Sequence, residues 1–307
     1  MKNFKGSFFR KIKDHNIIIK QGFKNANLLD MNQSFKILLL TLLVIISNFA
    51  CSSKNEKQIN LNSLFTKYEV KGSFLLYDES NEKYYVYNKP RASERLCPAS
   101  SFKVFGTLAI LDSGIIKDEK EIIPWDGSKY FIESFNQDQS LEEAFHYSTE
   151  WVYQRLIKQI GRSKMQEYLN ASNYGNKVIG EEIDKFWLDE SFKVSSYEQI
   201  NFLRKLDQNK LPFNELSINK TKEIMIQEQT QDFTLRGKTG TRDNGDQQMS
   251  LLIGYLEQNS QQQKPKKYFF ATNVFSKSPD NFFDGKAVQT RIPLTEEILK
   301  SRFNLMK

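Results

Sequence analysis

Strand-like runs stand at both ends of the domain-forming part of this chain, and helix-like runs fill the middle. That order most constrains the fold. The stretch "GSFLLYDESNEKYYVYNK" (72–89) gives two aromatic and aliphatic runs around a polar turn, the pattern of a β-hairpin. Near the C-terminus "FTLRGKTGT", "MSLLIGYLEQ" and "KYFFATNVF" return to strand character, the last two joined by a Gln/Lys-rich loop. Between them, "SFKVFGTLAILDSG", "SLEEAFHYSTEWVYQRLIKQIG" and "SSYEQINFLRKLDQ" space their apolar residues for helices. The chain closes on "PLTEEILKSRFNLM", read as an amphipathic helix beginning at Pro293. The economical solution is an α+β fold: one central antiparallel sheet built from both termini, with flanking helices and a helical subdomain.

Composition supports one substantial core, with 39% hydrophobic and 13% aromatic residues over 307 positions. The formal charge of +7 is misleading as a pointer to nucleic acid. Residues 1–36 hold eight Lys/Arg against two Asp, or +6, which leaves +1 of the +7 for the rest. A phosphate-binding surface needs its charge clustered on the folded part, so nucleic acid is excluded as a partner.

The run "FKILLLTLLVIISNFA" (35–50) followed by Cys51 is as long as a signal-peptide core and short for a membrane span. It resembles a bacterial lipoprotein signal in which the cysteine after the cleavage site is lipidated, although Asn48 and Phe49 depart from that pattern. The competing reading is an uncleaved anchor. Either way the domain is expected outside the cytoplasm, tethered to a bacterial envelope and periplasmic. Since a signal begins near its start methionine, translation is expected from Met31, making 1–30 a non-native extension. The resulting organisation is extension 1–30, signal 31–50, tether 51–62 and catalytic domain 63–307.

The chain has two cysteines and two histidines. With Cys51 lipidated, Cys97 has no disulfide partner. His146 is the sole histidine beyond the leader, which excludes His-rich zinc sites; no metal is expected. It is read as a surface or packing residue.

Ser-x-x-Lys occurs three times: Ser80/Lys83, Ser100/Lys103 and Ser217/Lys220. The first falls in the hairpin turn and the third in an expected polar loop, both read as solvated surface. Only Ser100, in "CPASSFKVFG", leads into an apolar helix. Residues three apart share a helix face, so Lys103 can reach Ser100. A lysine serves as base when burial lowers its pKa, and N–H groups at a helix start help hold an oxyanion. On this stretch alone, a serine N-cap beside a solvated lysine stands level with a nucleophile beside its base. The second element is "RGKTGT" (236–241), which offers a cation, a hydroxyl and, at Gly240, open backbone to a ligand along a strand edge.

Ser-x-x-Lys at a helix start followed by Lys-Thr-Gly on a late strand is the arrangement of penicillin-recognising serine enzymes. The chain resembles the class D β-lactamases, the oxacillinase family. "PASSFK" is similar to that family's first box, "NYGN" (173–176) to its Tyr-Gly-Asn element, "FWLDESFKVSSYEQINFLRKL" to its Trp-Leu segment and "LRGKTGT" to its third box. "QTRIPL" places Arg291 where the family has a carboxylate-binding arginine. The resemblance covers roughly residues 60–304 and implies the β-lactamase/D,D-peptidase-like fold. It implies further that Ser100 attacks the lactam carbonyl and that Lys103 is general base, N-carbamylated by carbon dioxide and held by Trp187. Ser148 would relay a proton, Lys238, Thr239 and Arg291 would hold the substrate carboxylate beside Gly240, and the N–H groups of Ser100 and Thr241 would form the oxyanion hole. No cofactor beyond carbon dioxide or bicarbonate is implied.

One position departs. The family's second box is Ser-x-Val, and here "STE" puts Glu150 where the valine belongs. An inward carboxylate would oppose a carbamate and slow deacylation. The expected function is therefore β-lactam hydrolysis conferring resistance, with a slowly deacylating penicillin sensor as the alternative. A peptidoglycan D,D-carboxypeptidase and a structural lipoprotein rank below both.

Overall fold

The computed structural model describes residues 55–259 and 264–306. The extension, Met31, the signal and Cys51 lie outside the described residues. So does the first part of the expected tether.

Seven strands form one sheet in the order β1 (Glu56–Gln58), β3 (Lys83–Tyr87), β2 (Lys71–Asp78), β9 (Lys266–Lys277), β8 (Gln247–Gln258), β7 (Phe233–Asp243) and β6 (Ile226–Gln229). The central neighbours β2 and β9 come from opposite ends of the chain, with Lys71 facing Phe275 and Asp78 facing Tyr268. Every pair is antiparallel except β1 with β3, which run parallel. A two-stranded ribbon, β4 (Ile122–Ile123) with β5 (Gln139–Ser140), lies apart.

Residues 56–61, expected in the tether, are part of the fold. β1 pairs with β3, the Ile59 amide donates to the Val86 carbonyl at 2.9 Å, and Leu61 is fully buried. The charged composition of this stretch hid a single edge pairing and one apolar anchor.

Alternation along the central strands feeds two cores. Leu75 and Tyr77 on β2, Ile253 and Tyr255 on β8, and Phe269 and Ala271 on β9 face the helical middle of the chain. Phe74 and Leu76, Leu252 and Leu256, and Phe270 and Val274 face the other way. There they pack against Leu64 and Phe65 of α1 (Asn62–Lys67) and Leu294, Ile298 and Leu299 of α9 (Lys286–Phe303). Burial on both faces is why these strands read as near-continuous apolar runs.

The helical side is built from α2 (Lys89–Ser93), α3 (Lys103–Ser113), α4 (Leu141–Tyr147), α5 (Glu150–Ile160), α6 (Arg162–Ser172), α7 (Ser196–Asp207) and α8 (Glu215–Ile224). Residues 103–110 of α3 are all buried, the mark of a helix running through a core rather than over it. Gly106 lets Tyr153 approach; a Cβ there would sit 3.1 Å from its ring.

Three helix boundaries differ from expectation. "SLEEAFHYSTEWVYQ" is two helices, because Ser148 adopts φ 63°, ψ 31° and Thr149 is extended. The stretch 215–224, expected as a polar loop, is α8: Asn214 caps it by accepting from the Ser217 amide at 2.8 Å, while Ile218, Thr221 and Ile224 are buried. Lys220, expected as solvated surface, is salt-bridged to Asp118 and Glu119. α9 starts at Lys286, not Pro293, and carries the proline inside it. Pro293 and Gln289 are both exposed, so water can serve the carbonyl that lacks its helical donor.

Candidate active site

The turn that carries Ser100 is a 3₁₀ segment, Ala99–Phe102, entered through Ala99 at φ 47°. That left-handed alanine is costly for a residue with a Cβ and is held by burial on every side, Ala99 being 1% exposed. The adjacent hydroxyls divide the work. Ser101 is buried and donates to the Pro98 carbonyl at 2.7 Å. Ser100 is half-buried, caps no helix, and accepts from Lys103 Nζ at 3.0 Å. The cap reading of Ser100 is therefore set aside.

Lys103 is completely buried. Burial pushes its pKa down from 10.5 to about 8, and the negative charge of Glu150 partly opposes the fall. Its ammonium lies 5.1 Å above the Tyr153 ring, whose hydroxyl is tied to Thr107 at 2.7 Å. Phe102 stacks on Trp187 with centroids 5.2 Å apart, and Cys97 Sγ donates to the Trp187 carbonyl at 3.2 Å. Trp187 is fully buried, and its Nε1–H has no partner among the described residues. A buried, unpartnered indole donor marks a place that an acceptor fits.

"NYGN" holds the segment that carries Trp187. Tyr174 is buried and donates to Gln199 Oε1 at 2.7 Å; Gly175 has φ 57°. Asn176 donates to the Ser191 carbonyl at 2.7 Å and accepts from the Lys193 amide at 3.1 Å. Its work is positional, as expected.

The sheet side is the β7 edge. A Cβ on Gly240 would lie 2.6 Å from the Pro98 carbonyl oxygen, 2.9 Å from the Ser101 nitrogen and 3.2 Å from the Ser100 nitrogen. The strand is thus pressed against the nucleophile turn, which only glycine permits. Lys238 is buried and donates to Ser148 Oγ at 3.0 Å and to the Thr239 carbonyl at 3.3 Å. The α4–α5 break is what brings Ser148 there. Thr239 is half-buried on the same edge. Thr241 Oγ1 pairs with Ser250 Oγ at 2.8 Å, and Arg291 Nη1 donates to that same Ser250 at 3.2 Å and to the Val288 carbonyl at 2.7 Å. Arg291 Nε is buried without a partner, and burial lowers the guanidinium's pKa to about 10.

Lys103, Lys238 and Arg291 therefore converge with no salt bridge to any of them among the described residues. Burial drives Lys238 well below its ordinary pKa, and the charges of Lys103 and Arg291 drive it further. A cluster of this kind wants an anion. Ser100 and Lys103 are joined directly, and Trp187 stacks on the Phe102 between them; Ser148 and Lys238 are joined directly; Thr241 and Arg291 meet through Ser250. His146 is exposed, and so is Glu150, which opens α5 with its side chain toward solvent.

Sequence reasoning missed Tyr153 and Ser250. Tyr153 belongs to the buried stripe Val152, Tyr153, Leu156, Ile157, where only its ring's place under Lys103 sets it apart. Ser250 is identified by register, lying opposite Thr241 on the neighbouring strand.

The model of the penicillin binding protein transpeptidase domain matches residues 72–299. The probable β-lactamase YbxI of Bacillus subtilis is 38% identical over 228 residues, 73% of this chain and 83% of the relative. The solved class D β-lactamase FUS-1 (OXA-85) of Fusobacterium nucleatum subsp. polymorphum superposes with a TM-score of 0.72 at 38% identity, covering 80% of this chain and 97% of that one. The C-terminal domain of the Bacillus licheniformis BlaR penicillin-receptor gives a TM-score of 0.74 at 31% identity, covering 81% and 97%. With the family model spanning most of the chain, and the fold and boxes in agreement, this chain belongs to the class D β-lactamase family.

Proposed function

We propose that the protein binds β-lactams and hydrolyses them through an acyl-serine. The observation that carries this is the buried Lys103, its pKa lowered to about 8, hydrogen-bonded at 3.0 Å to a half-exposed Ser100. Lys103, as the neutral amine or, when it holds carbon dioxide, through the carbamate oxygen, takes the hydroxyl proton as Ser100 Oγ bonds to the lactam carbonyl carbon. The N–H groups of Ser100 and Thr241 receive the oxyanion. The C–N bond then breaks as Ser148, held by Lys238, gives its proton to the departing nitrogen and receives in exchange the one Lys103 took from Ser100, which returns Lys103 to its starting state. Lys238, Thr239 and Arg291 take the substrate carboxylate, which offsets the like charges of Lys238 and Arg291. Water attacks the ester to regenerate Ser100.

Carbon dioxide held on Lys103 as a carbamate would supply a carboxylate base for that water. The unpartnered Trp187 Nε1–H fits such a group. Lipidation of Cys51, holding the domain at the periplasmic face of a membrane, completes the proposal; Cys51→Ala should release the protein from the membrane fraction.

A second reading is a receptor that stays acylated. It draws on the likeness to the BlaR domain and on Glu150, whose charge favours the ammonium form of Lys103 over a carbamate. Time-resolved mass spectrometry with benzylpenicillin separates the two. A transient adduct with turnover of a chromogenic cephalosporin supports the hydrolase; an adduct persisting for hours, with no turnover, supports the receptor. No adduct at all overturns both.

A further inference from the structure

Lys238 is held by more than its two hydrogen bonds. Its ammonium lies 5.5 Å from the centre of the Phe145 ring, which is fully buried. Phe145 stands in the last turn of α4, three residues before Ser148, and the two are tied: the Ser148 amide donates to the Phe145 carbonyl at 3.2 Å. The left-handed break at Ser148 thus presents a hydroxyl and a ring face to one lysine.

The remaining surroundings leave this lysine short of negative charge. The charged groups that act on it are Lys103 on α3 and Arg291 on α9, both positive. On α4 the titratable neighbours are His146, edge-to-face with Phe145 at 5.8 Å, and Glu142, whose charge acts on His146. A carboxylate beside Lys238 would stabilise its charge and also stand where a substrate carboxylate must bind. A ring face does the first without the second, because its negative π cloud favours an ammonium and brings no competing anion. An ammonium has three donors; Ser148 and the Thr239 carbonyl take two, which leaves one for an incoming anion.

We propose that Phe145 is a positioning residue: its ring face keeps Lys238 an ammonium, and so keeps it able to take the substrate carboxylate. The inference rests on the β-lactam reading of the site. Phe145 acts through Lys238 and takes no part in the bond changes.

The test replaces Phe145 in the full-length protein by mono-, di- and trifluorinated phenylalanine, which drain the ring face of negative charge at nearly constant shape. Phe145→Leu serves as the ringless variant. Acylation of Ser100 by benzylpenicillin, followed by mass spectrometry from about pH 6 to about pH 9, gives a limiting rate and a half-saturating concentration. The half-saturating concentration should climb with each fluorine, to about three- to tenfold in the trifluoro and Leu proteins, while the limiting rate holds within about threefold. A weaker ring face lets Lys238 lose its proton at lower pH, so the alkaline rise in half-saturating concentration should begin earlier in the same order. A fluorine series with no trend, or an unmoved pH profile, overturns the proposal while leaving the acyl-serine reading intact. A loss in Phe145→Leu alone, with the fluorinated proteins at wild-type values, makes Phe145 a packing residue and overturns it too. Failure of wild-type Ser100 to be acylated at all brings down the β-lactam reading, and this inference with it.

Discussion

Two buried lysines line one cleft and are held in opposite ways. Lys103 sits on the helical side over the Tyr153 ring, with Ser100 as its hydrogen-bond acceptor. Lys238 sits on the sheet side, bonded to Ser148 and the Thr239 carbonyl, and feels two other cations. Burial lowers both, but only Lys238 is lowered further by like charge. Lys103 is consequently poised near neutral pH to take a proton. Lys238 is a buried amine whose positive charge an incoming anion would favour. The same side chain becomes a base or an anion receptor according to its neighbours.

Removing the proposed nucleophile should give the largest effect: Ser100→Ala should abolish the penicilloyl adduct in mass spectra and cut turnover about 10⁶-fold. Lys103→Met should cost about 10²–10⁴-fold in acylation rate. It should also raise the melting temperature at pH 7, because a buried cation is replaced by an isosteric apolar chain. A stable but fully active Lys103→Met would break the division between the lysines. On the sheet side, Lys238→Ala and Arg291→Ala should each raise KM about 10- to 100-fold with a smaller fall in kcat, the signature of a lost charged hydrogen bond to a carboxylate.

The pH profile is subtler. If, as proposed, uncarbamylated Lys103 takes the Ser100 proton as a neutral amine, acylation in bicarbonate-free buffer should rise as pH increases through about 8. Because its folded pKa lies below the unfolded value of 10.5, the folded state binds fewer protons between those pH values. Stability from this group is therefore lowest below about pH 8 and recovers as pH rises toward 10.5. Glu150→Val should move the acylation midpoint to lower pH, since the carboxylate raises the Lys103 pKa. An unchanged midpoint and bicarbonate dependence would show that Glu150, facing solvent, leaves Lys103 alone.

The two sides also differed in how far the sequence disclosed them. Ser100–Lys103 and Lys238-Thr239-Gly240 are contiguous motifs whose chemistry and spacing survive without a fold, and the strand and helix patterns gave the sheet and its two ends. What stayed hidden depends on long-range placement. Ser148 is named from the sequence, but its contact with Lys238 is not: the chain enters the left-handed region at that serine, with no glycine to announce a break. Ser250 joins Thr241 to Arg291 through strand register and a helix that runs across a proline. Residues 56–61 look like linker until an edge strand is there to pair with them.

The β2–β9 pairing has a kinetic meaning. Lys71 faces Phe275 in the middle of the sheet, so the central ladder closes a loop of about two hundred residues. Such distant contacts slow folding and leave unpaired strand edges exposed while the chain searches. During synthesis β2 can pair with β3 at once, but its other edge waits until β9 has emerged. The centre of this sheet therefore cannot be assembled early.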